Sequence, residues 1–184
     1  MKNNNTFSEM IAPALVLVII CLCATLALAG THKVTQPLIE QNLIQAANEA
    51  RAYVLPEGKD YTEFDGKLVE GVDDCYIENN GAGMTVTSYY KGFGGPVTIM
   101  TGLDANGAIT GVTVTNHSET PGLGTKDMTP EYLEQYKGKT ELVGGHINND
   151  DQIDAITGAT ITANAIYGAV YEALAQFKEC GGVK

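Results

Sequence analysis

The sequence predicts an α+β fold, with one N-terminal membrane-spanning helix followed by a single domain built on a mainly antiparallel sheet with flanking helices. Three observations carry this. Ile11 to Ala29 is an apolar run without one charged side chain. Several short β-branched stretches then follow one another with turn residues between them. The longest helical pattern of the domain comes only after them. An order of helix, strands, short helix and long helix favours an antiparallel sheet with segregated helices over a repeated strand–helix–strand unit.

The 184 residues are 44% hydrophobic and 18% charged, with mean hydropathy near zero. That balance excludes a disordered chain and one threaded many times through a membrane. Acidic residues outnumber basic ones 22 to 11. Lys2 and Glu9 cancel, so the part beyond the apolar run carries the whole net charge of −11. Such a surface repels a phosphate backbone, and nucleic acid is not an expected partner.

As a helix, Ile11–Ala29 reaches roughly 28 Å, close to the hydrocarbon thickness of a bilayer. Pro13 falls in its first turn, where a missing N–H costs little. The rival reading is a cleaved signal peptide, because Ala27-Leu28-Ala29 offers an A-x-A cleavage site before Gly30. Length favours a retained anchor, since the run exceeds the roughly 7–15 residues of a signal-peptide core and Lys2 is the only early base. The expected organisation is a tail over residues 1–10, a membrane helix over 11–29 and one domain over 30–184. Charge leaves the orientation open, for Lys2 and Glu9 offset each other on one side and Lys33 lies beyond the other.

Gln36 to Val54 has the pattern of an amphipathic helix stopped by Pro56. Strands are expected at Cys75–Glu78, Met84–Tyr90, Pro96–Leu103 and Ala108–Asn116, the last two joined by the turn residues Asp104-Ala105-Asn106-Gly107. Thr129-Pro130-Glu131 supplies an N-cap and a proline at N1 for a short helix ending near Gly138. A final helix is expected from Ile161 to Lys178, with Ile166, Val170, Ala173, Leu174 and Phe177 on one face and Gly181 as its stop.

Motifs narrow the chemistry. Cys21 and Cys23 lie in the apolar run, and Cys75 and Cys180 are the only thiols of the domain, open to pairing or to remaining free. His32, His117 and His146 are scattered, so no metal site is expected. No Walker A or G-x-G-x-x-G sequence supports a nucleotide fold, and no G-x-S-x-G points to a hydrolase. Two stretches remain. Asn116 to Gly124 (NHSETPGLG) packs polar residues, a proline and two glycines just past a strand, where a ligand loop or an ordinary turn both fit. Asp154 to Thr162 (DAITGATIT) sets three threonines immediately before the last helix. A helix N-terminus there suits a phosphate, although Thr157, Thr160 or Thr162 could instead simply cap it.

Asp154 to Thr160 (DAITGAT) resembles the flavinylation motif D-x-x-[ST]-G-A-T, whose final threonine carries FMN through a phosphoester. His117 to Gly124 (HSETPGLG) is similar to the H-x-E-T-P-G-L-G segment of the same FMN-binding domains, and Gly92 to Pro96 (GFGGP) matches a third stretch. In this order, behind one membrane helix, they resemble the G-subunit family of the Rnf complex, an ion-translocating ferredoxin:NAD oxidoreductase. The C subunit of the sodium-pumping NADH:quinone oxidoreductase is the related alternative. A stand-alone, membrane-anchored extracytoplasmic flavin reductase is the alternative of another class.

The resemblance implies an electron-transfer subunit in which Thr160 bears covalent FMN, attached by a separate flavin transferase that recognises Asp154, Gly158, Ala159 and Thr160. It implies flavin contacts from Glu119, Thr120, Gly122, Leu123, Thr157, Gly158 and Ala159, and no side chain acting as a catalytic acid or base. It also implies polytopic membrane subunits and soluble redox subunits as partners. Because the transferase works outside the cytoplasm, the domain is expected there, with the N-terminus cytoplasmic in a single-pass arrangement. The family pattern commonly has serine at the positions of Thr157 and Ala163. Thr157 keeps the hydroxyl, and Ala163 is not the attachment position.

Overall fold

The computed structural model describes residues 4–182, with side chains from residue 11 onward. It divides into two compact units, Met1–Ala46 and Ala47–Lys184. The described residues of the first lie within a single helix, α1 (Asn4–Val54), whose last turns belong to the second. The expected 11–29 helix lies inside α1, and residues 4–10 of the expected tail continue it, while residues 1–3 fall outside the described residues. Leu15, Leu17, Ile20, Leu26 and Leu28 are all exposed, and the helix is long and apolar enough to cross a membrane. Its hydroxyls are satisfied locally: Thr25 donates to the Cys21 carbonyl at 2.7 Å and Thr31 to that of Leu28 at 2.9 Å. The separate helix expected from Gln36 is part of the same element. Gly30 stands singly between the two stretches and Pro37 in the first turn of the second, and neither is backed by a second breaker that would end the ladder.

The second unit holds the sheet. Its strands are β1 (Tyr61–Glu63), β2 (Val72–Glu78), β3 (Gly83–Lys91), β4 (Pro96–Asp104) and β5 (Ile109–Asn116). They lie in the order β1-β2-β3-β4-β5, every pair antiparallel. This is the antiparallel α+β arrangement that the sequence predicts. β1 was not expected, because three residues carry no period of their own; pairing of Tyr61 with Glu78 defines it. The β4–β5 turn forms as its residues dictate. Asp104 Oδ1 accepts the amides of Asn106 and Ala108 at 2.8 and 2.9 Å, and Gly107 takes a left-handed φ of 81°.

A short helix, α2 (Pro130–Leu133), is capped by the Thr129 hydroxyl, which accepts the Tyr132 amide at 3.3 Å. The long helix α3 (Thr160–Glu179) covers one face of the sheet. Its small buried residues, Ala163, Ala169 and Ala173, let it close on β3, where the Ser88 hydroxyl donates to the Ala169 carbonyl at 2.7 Å. On the other face Val54, at the end of α1, lies over Gly102 and Gly111. These two glycines are direct cross-strand partners, and a Cβ on either would run into the Val54 backbone. Close approach of the Val54 backbone excludes a side chain at both mid-strand positions, beside a register shift between Gly102 and Leu103. Cys75 and Cys180 are both free, and burial pushes the Cys75 thiol up to about 12, with the nearby Cys180 thiol adding to the shift.

Register then gathers the motifs. Lys91 pairs with Pro96 and Thr98 with Asn116, so the β3–β4 turn and the loop leaving β5 emerge at one end of the sheet.

Candidate flavin site

Glu119 sits where three of the singled-out stretches meet. It is only 5% exposed. Its Oε1 accepts the amides of Phe93 at 2.7 Å and Gly94 at 3.1 Å, in the turn between β3 and β4. Its Oε2 accepts the hydroxyl of Thr162 at 3.0 Å, in the first turn of α3. The loop between is closed by its own backbone: the amides of Leu123 and Gly124 donate to the Thr120 carbonyl at 3.2 and 3.1 Å. Gly122 has the left-handed φ of 77° that this tight turn requires.

The other wall is the start of α3. Gly158 takes φ of 89°, and the Ala159 amide donates to the Ile156 carbonyl at 3.0 Å, which turns the chain into the helix. The N-cap is Ala159, and no side chain caps the helix. Capping by Thr157, Thr160 or Thr162, one of the two readings of this segment, is therefore not what the threonines do. First-turn amides of a helix point outward from its end with partial positive charge, and no side-chain cap takes them up here. The preceding loop is fastened upstream, where the Asp154 amide donates to Gln135 Oε1 at 2.8 Å.

Between these walls lies an open cavity of about 300 Å³. Phe93, Glu119, Thr120, Leu123 and Gly124 line one side, and Gly158 to Thr162 the other. Of the residues expected at the site, Glu119, Thr120, Leu123, Gly158, Ala159 and Thr160 are therefore brought together. Gly122, Asp154 and Thr157 lie outside the lining. Gly122 acts through its turn, and Asp154 and Thr157 are exposed on the approach to α3. Phe93, Ile161 and Thr162 also line the cavity, although they were not among the expected flavin contacts. Phe93 belongs to the GFGGP stretch, but nothing local in a sequence shows that its side chain, 72% exposed, stands over a cavity.

The three threonines differ sharply. Thr162 is 2% exposed and its hydroxyl is taken up by Glu119. Thr157 is exposed away from the cavity. Thr160 is exposed and lines it. Phe93, Leu123 and Ile161 add exposed apolar surface around it. An uncapped helix N-terminus beside an apolar slot suits a ligand with an anionic end and a flat aromatic end. Among the described residues, no group of three or more His, Cys, Asp or Glu side chains is placed to hold a metal ion.

The family model of the FMN-binding domain matches residues 92–175, from the β3–β4 turn into α3. Curated relatives extend the likeness to most of the chain. The G subunit of the Na(+)-translocating ferredoxin:NAD(+) oxidoreductase complex of Acetobacterium woodii is 36% identical, over 85% of this chain and 86% of the relative. The chain belongs to the G-subunit family of ion-translocating ferredoxin:NAD(+) oxidoreductase complexes. The G subunit of the proton-translocating complex of Clostridium ljungdahlii is 27% identical over 91% of each chain. The G subunit of the ion-translocating oxidoreductase complex of Methanosarcina acetivorans is 31% identical, over 86% of this chain and 89% of the relative. The solved C subunit of the Na(+)-translocating NADH-quinone reductase of Parabacteroides distasonis is similar over 58% of this chain and 61% of its own, at 21% identity and a TM-score of 0.45. The matched segment here is an FMN-binding domain, and it contains the whole cavity wall set out above.

Proposed function

We propose that this chain is the electron-transferring flavoprotein subunit of a membrane-bound complex that couples electron transfer between ferredoxin and NAD to ion translocation, with FMN joined covalently to Thr160. The observation that carries the reading is the exposed Thr160 hydroxyl at the uncapped N-terminus of α3, opening on the cavity. A phosphodiester on that oxygen would lie against the helix amides, the place where a helix stabilises an anion. Phe93, Leu123 and Ile161 would offer apolar contacts to the isoalloxazine, while Glu119, Thr120, Gly158 and Ala159 would form the floor of the slot. Gly122 and Thr157 would shape its rims through their loops.

Bound there, FMN supplies one- and two-electron chemistry on its ring, and the protein contributes position and electrostatics. Asp154, Gly158 and Ala159 lie on the loop that enters α3 and Thr160 is the first residue of the helix, with Ala159 alone of the four buried, which leaves the motif accessible to a flavin transferase. The partners would be polytopic membrane subunits and soluble redox subunits of the same complex. The anchor would be residues 11–29, with the N-terminus in the cytoplasm and the flavin domain outside it. The names of the relatives, sodium-translocating in one and proton-translocating in another, support the coupled role without choosing the ion.

The test is mild detergent extraction of membranes containing the tagged full-length chain. Co-purified polytopic subunits, with flavin fluorescence that survives denaturation, is the expected result. Recovery of this chain alone, fully flavinylated and active toward a small acceptor, would identify a stand-alone reductase instead.

A further inference from the structure

We propose that Glu119 is the positioning residue of the flavin site, clamping the β3–β4 turn to the first turn of α3 and holding down the reduction potential of the flavin with a buried charge. The inference rests on the reading that FMN occupies this cavity. Three observations carry it. Glu119 accepts three hydrogen bonds, from two backbone amides and one hydroxyl, and the arrangement of acceptor-only oxygens is that of an ionised carboxylate. None of the three donors is a cation, so dipoles alone compensate the charge and its sign remains negative at the cavity wall. The surroundings are shaped around this group: a Cβ at Gly92 would collide with Oε1, and one at Gly124 would crowd both Oε2 and the Thr162 hydroxyl.

The clamp explains why the two walls face each other. Phe93 and Gly94 are joined to Glu119 across 26 and 25 residues of chain, and Thr162 across 43. No other side-chain hydrogen bond links these stretches among the described residues. The electrostatic consequence follows from the same geometry. Reduction places added negative charge on the flavin, and a fixed negative charge in a partly desolvated wall opposes it. Oxidised flavin is thereby favoured, and electrons leave it more readily.

Glu119→Gln separates the two roles. Its carbonyl oxygen can still accept the Phe93 and Gly94 amides, and its NH₂ can donate to the Thr162 oxygen, so the clamp remains while the charge is gone. Glu119→Ala removes both. The experiment uses the full-length chain in detergent, co-expressed with a flavin transferase. Peptide mass mapping reports attachment, redox titration the midpoint potential, polarised fluorescence the mobility of the flavin, and thermal melting of the unflavinylated chain the fold. Both variants should carry FMN on Thr160, since the attachment loop is untouched. Glu119→Gln should shift the potential to a more positive value with wild-type melting and anisotropy. Glu119→Ala should lower both the melting temperature and the flavin anisotropy. A Glu119→Gln potential equal to wild type would overturn the charge role. Wild-type anisotropy and melting in Glu119→Ala would overturn the clamp. A wild-type chain with no flavin on Thr160 overturns the reading beneath this one, and the mass map shows that before any potential is measured.

Discussion

The Thr162 hydroxyl donates to Glu119 Oε2 at 3.0 Å, across 43 residues of chain. This bond sets the buried Thr162 hydroxyl apart from the exposed one of Thr160 at the start of α3. Thr162 is buried and its hydroxyl is engaged by the Glu119 carboxylate, whereas Thr160, two residues earlier, is exposed, carries no such bond and opens on the cavity.

Thr160→Ala is therefore expected to abolish in-gel flavin fluorescence of the denatured chain co-expressed with a flavin transferase. Thr157→Ser and Thr162→Ala should keep it. Thr160 makes no capping bond, so its loss should cost well under about 1 kcal/mol. Thr162→Ala strips a partner from a buried carboxylate and should cost about 1–3 kcal/mol. A fluorescent Thr160→Ala band would move the attachment to another residue.

Asp127 is fully buried in the 3₁₀ helix Gly124–Met128, with neither carboxylate oxygen in a hydrogen bond of ordinary geometry. Burial pushes it up to about 6, against smaller opposing effects of the Ala163 amide and Lys126. Above the ordinary aspartate value the unfolded chain releases this proton sooner than the folded one, so its contribution to stability falls as pH rises from about 4 to 6. Asp127→Asn should be more stable than wild type by on the order of 1 kcal/mol at pH 8 and equal to it near pH 4. Denaturant titration of the full chain at the two pH values measures the difference. A variant no more stable at pH 8 would contradict it.

Asp150 behaves oppositely. Burial alone would raise it, but the Gln152 amide at 2.9 Å, the Tyr167 hydroxyl at 2.8 Å and the Val143 amide at 3.3 Å hold its carboxyl below the ordinary range, with help from Lys139. That stabilisation is present above the unfolded value and disappears as pH falls through the lowered native one. Tyr167→Phe should cost roughly 1.5–3 kcal/mol at pH 7, with the cost shrinking in acid. Stability curves of the two proteins that stay parallel down to the acid limit would refute the coupling.

Gly102→Ala tests the close contact beneath the sheet. Its Cβ would meet the Val54 carbonyl and the Thr110 hydroxyl, both inside a packed interface. A loss of about 1–3 kcal/mol is expected, by overpacking rather than by any change at the flavin cavity. Thermal melting should show the loss while flavin attachment stays complete.

Much of the scaffold was legible before any coordinates. Four of the five strands lie where the β-branched stretches put them, because alternation and turn chemistry are properties of a few adjacent residues. The membrane-length helix and the long final helix are legible for the same reason. β1 and the 3₁₀ helices at Gly124–Met128 and Ile147–Asn149 were not, since each is too short to show a period and is held by partners elsewhere. The boundary between the two expected N-terminal helices also failed, because single weak helix formers do not end a ladder that neighbouring turns sustain.

The sequence by itself determined the class of the fold, the apolar anchor segment, the order of three motif stretches and the threonine-rich entry to α3. Local periodicity and short-range turn chemistry suffice for all of these. Only the tertiary structure decided that Glu119 faces inward to Phe93, Gly94 and Thr162, that Phe93 stands over the cavity, and that Gly102 and Gly111 make room for Val54. Each of those depends on strand register and on a helix laid across it. A contact between residues 25 to 43 positions apart leaves no trace in either one's neighbours.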